Sequence, residues 1–238
     1  MANVKQIRYW ESIKVVDYEF PDNQYYPTHT FKKRIDLHHM ASGQSLIGDI
    51  NWWLGNKERV ATCCGIERDG SIGTMFSSKY WAHALGVKIK EFDKFNIERI
   101  YRVKNNGKRY VANNEILNEE TIACELDSWG RLTKKGNSFY SWTNEKIDPG
   151  LVQIYDKPFK GQHYFEKYTD EQIRSLEKLL IYWRDTYNID ISYKGDIIFE
   201  QNKRALSGEK GLWTHGAYRK DKDDVHPQPE LIQILNAA

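Results

Sequence analysis

Between residues 34 and 39 apolar and polar positions alternate, Arg34-Ile-Asp-Leu-His-His39, and this period of two predicts a strand. From Ser45 to Leu54 the period changes. Leu46, Ile50, Trp53 and Leu54 recur at helical spacing, with Gly55 as a stop signal. Residues 60–66 and 71–76 flank Glu67-Arg-Asp-Gly70, an Asp-Gly turn that closes a β-hairpin. Thr121-Ile-Ala-Cys-Glu-Leu126 reads as another strand. The clearest helix runs from Asp170 to Tyr187, where Ile173, Leu176, Leu179, Leu180, Trp183 and Tyr187 form one apolar stripe. Thr169 precedes it as an N-cap, with Gln172 completing a capping box. Gly211-Leu-Trp-Thr-His215 predicts a last strand running into a loop, and Glu230 to Leu235 a short terminal helix.

Elsewhere the pattern weakens. Residues 1–33 are aromatic and polar without clear periodicity and read as an extended N-terminal arm. Residues 88–114 are charged and rich in Asn and Gly, the profile of a surface insertion, and 129–160 suggest loops and short hairpins. Strands interleaved with helices point to an α/β sandwich around a mixed sheet. With no internal repeat or Pro/Ser-rich linker, the expectation is one domain over 1–238.

Composition narrows the classes. The 238 residues suffice for one well-buried α/β domain or two small ones. A net charge of +2 argues against a nucleic-acid partner, whose binding needs a concentrated basic stripe. No apolar run approaches the roughly 18 residues of a membrane span, so no membrane insertion is expected. The opening MANVKQIRYWESIK lacks the apolar centre of a secretory signal. Three cysteines, Cys63, Cys64 and Cys124, fit a reducing compartment better than a disulfide framework, so cytoplasmic synthesis is expected. Aromatic residues at 13% exceed the usual share, and spare aromatics often line sugar or peptide sites.

Candidate chemistry gathers at strand ends. His38 closes the first strand and His215 the last, and Arg219-Lys-Asp-Lys-Asp-Asp-Val-His-Pro227 follows. Hydrolytic zinc sites use three protein ligands and leave a fourth position for water, which two histidines and one carboxylate would satisfy. Spacing alone leaves structural histidines and a solvated charged loop as alternatives. Alternation turns His39 away from His38, towards a buried, hydrogen-bonded role. Vicinal Cys63 and Cys64 also face opposite ways and read as small packing residues.

Five pieces in order carry a resemblance: Ile35-Asp-Leu-His-His-Met-Ala41, Gly65-Ile-Glu-Arg-Asp-Gly-Ser-Ile72, Tyr80-Trp-Ala-His-Ala-Leu-Gly86, Glu120-Thr-Ile-Ala-Cys-Glu-Leu126 and Thr214-His-Gly-Ala-Tyr-Arg-Lys-Asp-Lys-Asp-Asp224. Together the chain resembles the zinc-dependent N-acetylmuramoyl-L-alanine amidases shared by phage lysozymes, bacterial recycling amidases and peptidoglycan recognition proteins. The likeness spans residues 34–235 with one insertion. It implies the peptidoglycan recognition protein-like amidase fold, a mixed sheet flanked by helices, and one zinc ion per chain. The implied reaction is hydrolysis of the amide between N-acetylmuramic acid and L-alanine.

Position by position, the resemblance makes His38 and His215 the first two ligands. The family's third ligand lies two residues after a functional Lys and shortly before a Pro; Lys222, Asp224 and Pro227 fit that register. Here Val225-His226 intervene before the proline, leaving Asp223 or His226 as alternative third ligands. Glu125 matches the catalytic glutamate and Lys222 the oxyanion-stabilising lysine. A tyrosine used by some phage members falls at Thr62. His83, with Trp81 beside it, matches a substrate-facing position. The implied context is a phage endolysin acting on peptidoglycan, released from the host cytoplasm by a holin. A recycling amidase for soluble anhydro-muropeptides and a non-catalytic peptidoglycan-binding module are the alternatives.

Overall fold

A computed structural model describes residues 1–43 and 45–237. The first 33 residues are not simply an extended arm. Strands β1 (Val4–Trp10) and β2 (Ile13–Tyr18) form an antiparallel hairpin, and β2 joins the main sheet. Two features hid it. Its turn places Glu11 and Ser12 at φ 45° and 70°, a left-handed pair that sequence normally signals with Asn or Gly. Moreover β1 is exposed along nearly its whole length, so burial imposes no alternation on it.

Strand β3 (Arg34–His39) and helix α1 (Leu46–Gly55) follow the pattern, with Ser45 accepting from Ile47 N at the helix start. β4 (Cys64–Ile66) and β5 (Ile72–Thr74) form the hairpin around Gly70, whose φ of 81° the turn requires. Residues 88–114 are more ordered than an irregular insertion. They contain α2 (Ile89–Lys94), anchored by buried Phe92, and the exposed hairpin β6 (Tyr101–Val103) and β7 (Arg109–Val111). Helix α3 (Asn113–Glu119) then leads into β8 (Thr121–Leu126).

The expected short hairpins follow and extend to residue 166. β9 (Thr133–Lys135), β10 (Ser138–Tyr140) and β11 (Lys146–Ile147) form one small sheet. β12 (Val152–Phe159) and β13 (Gln162–Glu166) form another. Trp129, Leu132, Phe139, Ile147 and Val152 make a separate small core beneath them. Helix α4 (Asp170–Tyr187) begins at the Thr169–Gln172 capping box. After it come α5 (Lys203–Leu206), β14 (Gly211–Thr214), α6 (His215–Tyr218) and α7 (Pro229–Ala237).

The central sheet is mixed, with order β1-β2-β5-β4-β8-β3-β14. Helices cover it: Leu46, Ile50 and Trp53 of α1 pack with Val16 and Tyr18, whereas α4 buries Ile173, Leu176, Leu180 and Trp183 in the larger core. Gly65 lets α1 approach closely, since a Cβ there would meet a Leu46 methyl at 2.4 Å. No described helix is long and apolar enough to cross a membrane. For chemistry, the decisive feature is that β8, β3 and β14 are adjacent and parallel, so their C-terminal ends open onto one edge.

Candidate metal centre

On β3 the alternation places Arg34, Asp36 and His38 on one face and Ile35, Leu37 and His39 on the other. In register, His38 lies beside Glu125 of β8, and Leu37 beside Thr214 of β14. His215, the next residue after β14, therefore emerges next to His38; their ring centroids are 4.4 Å apart. The third member arrives from a loop. Gly216 N donates to Asp224 O at 3.1 Å, and Lys160 Nζ donates to Lys222 O, together tying residues 222–224 against the start of α6.

One donor atom from each of His38, His215 and Asp224 lies within 4.8 Å of the other two, and all three residues are buried. Asp224 Oδ2 is 2.9 Å from His215 Nδ1 and 3.4 Å from His38 Nδ1. Donors about 2.0–2.1 Å from a tetrahedral metal stand about 3.3–3.4 Å apart, so little movement separates this arrangement from a coordinating one. The far ring nitrogens fit as well. His215 Nε2 is 3.0 Å from Leu85 O, and His38 Nε2 is 2.8 Å from Asp36 Oδ2. For His215 an acceptor at Nε2 leaves Nδ1 free of its proton to bind a metal, and His38 Nε2 lies close to a carboxyl oxygen without a hydrogen bond of good geometry. The residues present fit a divalent ion with one position open.

Charge agrees with this reading. Burial alone would lower the His38 pKa, but Asp36, Asp224 and Glu125 outweigh it and hold the imidazole well above its usual value. Burial pushes Asp224 up, yet His215 and His38 hold it well below the carboxylate range. His215 is lowered by burial. The carboxyl groups of Asp36 and Asp224 thus lie on either side of the His38 imidazole, an arrangement that suits a cation at this point. Glu125, buried on β8, is pushed up to about 8 by burial, with Asp224 and Asp49 adding to the rise and His38 and Lys222 opposing it. Its Oε2 has no hydrogen-bond partner among the described residues.

The alternatives at the third position fall elsewhere. His226 is 0% exposed and stacked against Tyr168 and Phe165; its nitrogens meet Tyr155 Oη at 2.8 Å and Glu166 O at 3.0 Å. Burial drives its pKa down to about 3, as expected of a neutral packing residue. Asp223 turns outward to Arg131 at 2.7 Å. His39 meets Tyr168 Oη at 3.1 Å, away from the cluster. Lys222 is half-buried, and its charge acts on Glu125, His39 and His215.

His83 and Trp81 lie on the loop that supplies Leu85 O behind His215. Trp81 is 5% exposed, its indole stacked on Tyr26 at 3.8 Å, and His83 Nε2 is 3.2 Å from Tyr26 Oη. Trp81 thus presents little surface, and the accessible side of this pair is His83 and Tyr26. Thr62 is buried just before β4, its hydroxyl donating to Cys64 O. A cavity of about 630 Å³ lies between the β1–β2 hairpin and α4; none of the cluster residues line it. Asp36 was not among the sequence candidates. The signal was a charged residue inside a central parallel strand, where buried strands are normally apolar.

No family model matches the chain, and no curated protein sequence matches it. Solved structures do align. PlyL aligns over 94% of this chain and 96% of its own at 14% identity and a TM-score of 0.49. The N-acetylmuramoyl-L-alanine amidase LysC from Clostridium intestinale URNW aligns over 92% and 93% at 12% identity and a TM-score of 0.46. A selenomethionine derivative of AmpD aligns over 93% and 92% at 13% identity and a TM-score of 0.43.

Proposed function

We propose that this chain is a zinc-dependent amide hydrolase that cleaves the bond between N-acetylmuramic acid and the first L-alanine of the peptidoglycan stem peptide. One observation carries the reading: two Nδ1 atoms and one carboxylate converge at the ends of β3 and β14, with buried Glu125 in register on the neighbouring strand. Two nitrogens and one oxygen suit zinc in a catalytic site with one open position. The resemblance of the five sequence pieces supplies the bond and the substrate.

A zinc ion held by His38, His215 and Asp224 would supply Lewis acidity, making water a competent nucleophile near neutral pH. Glu125 takes the proton of the attacking water and returns it to the leaving alanine nitrogen. That return matters because an amide leaves poorly until its nitrogen is protonated. Burial suits Glu125 to both halves of the transfer, since a carboxyl near neutrality in pKa both accepts and donates. Lys222 stabilises the charge that develops on the lactyl oxygen. Asp49, on the first helix, sits close enough to raise Glu125 and so contributes to its tuning. His83, with Tyr26 Oη at hydrogen-bonding distance from its Nε2, would face the substrate. An intact ligand set together with Glu125 favours an enzyme over a binding module.

Digestion of purified peptidoglycan followed by mass analysis tests the proposal. The expected products are free stem peptides beginning with L-alanine. New reducing sugar ends, or no products with zinc supplied, would refute it. Chelation should abolish the activity and zinc restore it. Comparing intact sacculi with soluble anhydro-muropeptides separates a lytic from a recycling role.

A further inference from the structure

Asp36 stands two residues before His38, so both side chains leave the same face of β3. Its carboxylate is fully buried, and neither oxygen has a hydrogen-bond partner of good geometry among the described residues. Its one ion-pair contact among them is His38 Nε2, at 2.8 Å, a nitrogen that likewise has no hydrogen bond of good geometry and no other partner among them. Arg34, on the same strand face, is committed elsewhere: its guanidinium donates to Gly208 O, Leu117 O and Glu120. A buried carboxylate without compensation is costly, and a central parallel strand offers apolar residues as the easy alternative. The group this buried side chain faces is the His38 imidazole.

The two histidines are also held differently. His215 rests its Nε2 on a neutral carbonyl, Leu85 O, whereas His38 rests on a carboxylate. A carboxylate behind a ligating imidazole fixes which nitrogen carries the proton, sets the ring orientation and raises the basicity of the nitrogen facing the metal.

We propose that Asp36 is the positioning residue of the metal centre. It orients His38 through Nε2 so that Nδ1 faces the ion. The role rests on the metal-hydrolase reading above, but concerns metal binding rather than the bond cleaved.

Zinc affinity of the full chain, measured by competition with a chromophoric chelator, tests it beside thermal unfolding of the metal-free protein. Asp36→Asn preserves the shape and an acceptor for the Nε2 proton while removing the charge. Its zinc affinity should fall by about 10- to 100-fold, the usual consequence of altering a residue that supports a metal ligand. Asp36→Leu removes charge and acceptor together and should fall further. Asp127→Asn, a buried carboxylate near the same strand ends that makes no contact with the three ligands, should bind zinc as the wild type does. In the zinc-loaded wild type, the His38 Nε2 proton should resonate far downfield, as one donated to a carboxylate does, and Asp36→Asn should move it upfield.

A folded Asp36→Asn protein whose zinc affinity stays within about twofold of wild type overturns the proposal, whatever becomes of the leucine variant. A wild-type chain that binds no zinc overturns the metal reading and this role with it. A chain that binds zinc but cleaves no peptidoglycan overturns the proposed reaction alone.

Discussion

Replacing Asp127 with Asn should stabilise the protein at pH 8 and leave its stability almost unchanged near pH 4. Asp127 follows β8 and is 1% exposed; neither carboxyl oxygen has a hydrogen-bond partner of good geometry among the described residues. Burial raises its pKa from 3.8 to about 8, Glu67 and Glu166 add to the rise, and Arg68 opposes it. The sign follows from proton counting. Between pH 4 and 8 the folded chain keeps the proton and the unfolded chain releases it, so this group lowers stability as pH rises. Each pH unit is worth up to about 1.4 kcal/mol, which over the interval gives an upper bound of about 5–6 kcal/mol. Local relaxation and water penetration around an ionised Asp127 reduce the realised cost to about 2–4 kcal/mol. Asn mimics the protonated carboxyl at every pH and carries none of this dependence. Urea unfolding at pH 4.5 and pH 8, with the metal state held constant, measures it: the midpoint difference between variant and wild type should grow with pH at an unchanged slope. An equal midpoint difference at both pH values, or a variant less stable at pH 8, would refute the reasoning.

Four further outcomes are expected. Asp224→Ala should lose more metal affinity than the ~10- to 100-fold of a supporting residue. His226→Ala should keep its metal but lose about 2–4 kcal/mol of stability, because it empties a stacked, hydrogen-bonded core position; metal analysis paired with unfolding separates the two. Glu125→Gln should retain zinc and fold while turnover on peptidoglycan falls about 10²- to 10⁴-fold, and near wild-type hydrolysis would remove Glu125 from the mechanism. Thr169→Ala breaks the capping box of α4 and the bond from its hydroxyl to Arg68 O, and should cost about 1 kcal/mol by denaturant unfolding.

Local pattern determined the elements whose signals are themselves local. β3, β8 and α4 begin and end where alternation, helical spacing and the Thr169 cap place them, because those signals arise from the side chains of the segment concerned. The two histidines and the Asp-rich loop were visible as residue types of metal-binding character at strand ends. The β1–β2 hairpin was not, since an exposed edge strand has no buried face to pattern and its turn adopts left-handed φ without Gly or Asn.

Tertiary structure alone decided which atoms converge. His38 and His215 are 177 positions apart in sequence, and only the parallel pairing of β3 with β14 brings their Nδ1 atoms to one carboxylate. Of Asp223, Asp224 and His226, the loop directs only Asp224 towards the two histidines. Arg131 draws the first outward, and an aromatic stack encloses the last. Asp36 reads in sequence as one polar position of an alternating strand; its meaning comes from a face that closes over it and leaves a histidine nitrogen 2.8 Å away. A linear pattern records which face a residue prefers, whereas a site depends on distances between faces, and those exist only once the sheet is assembled.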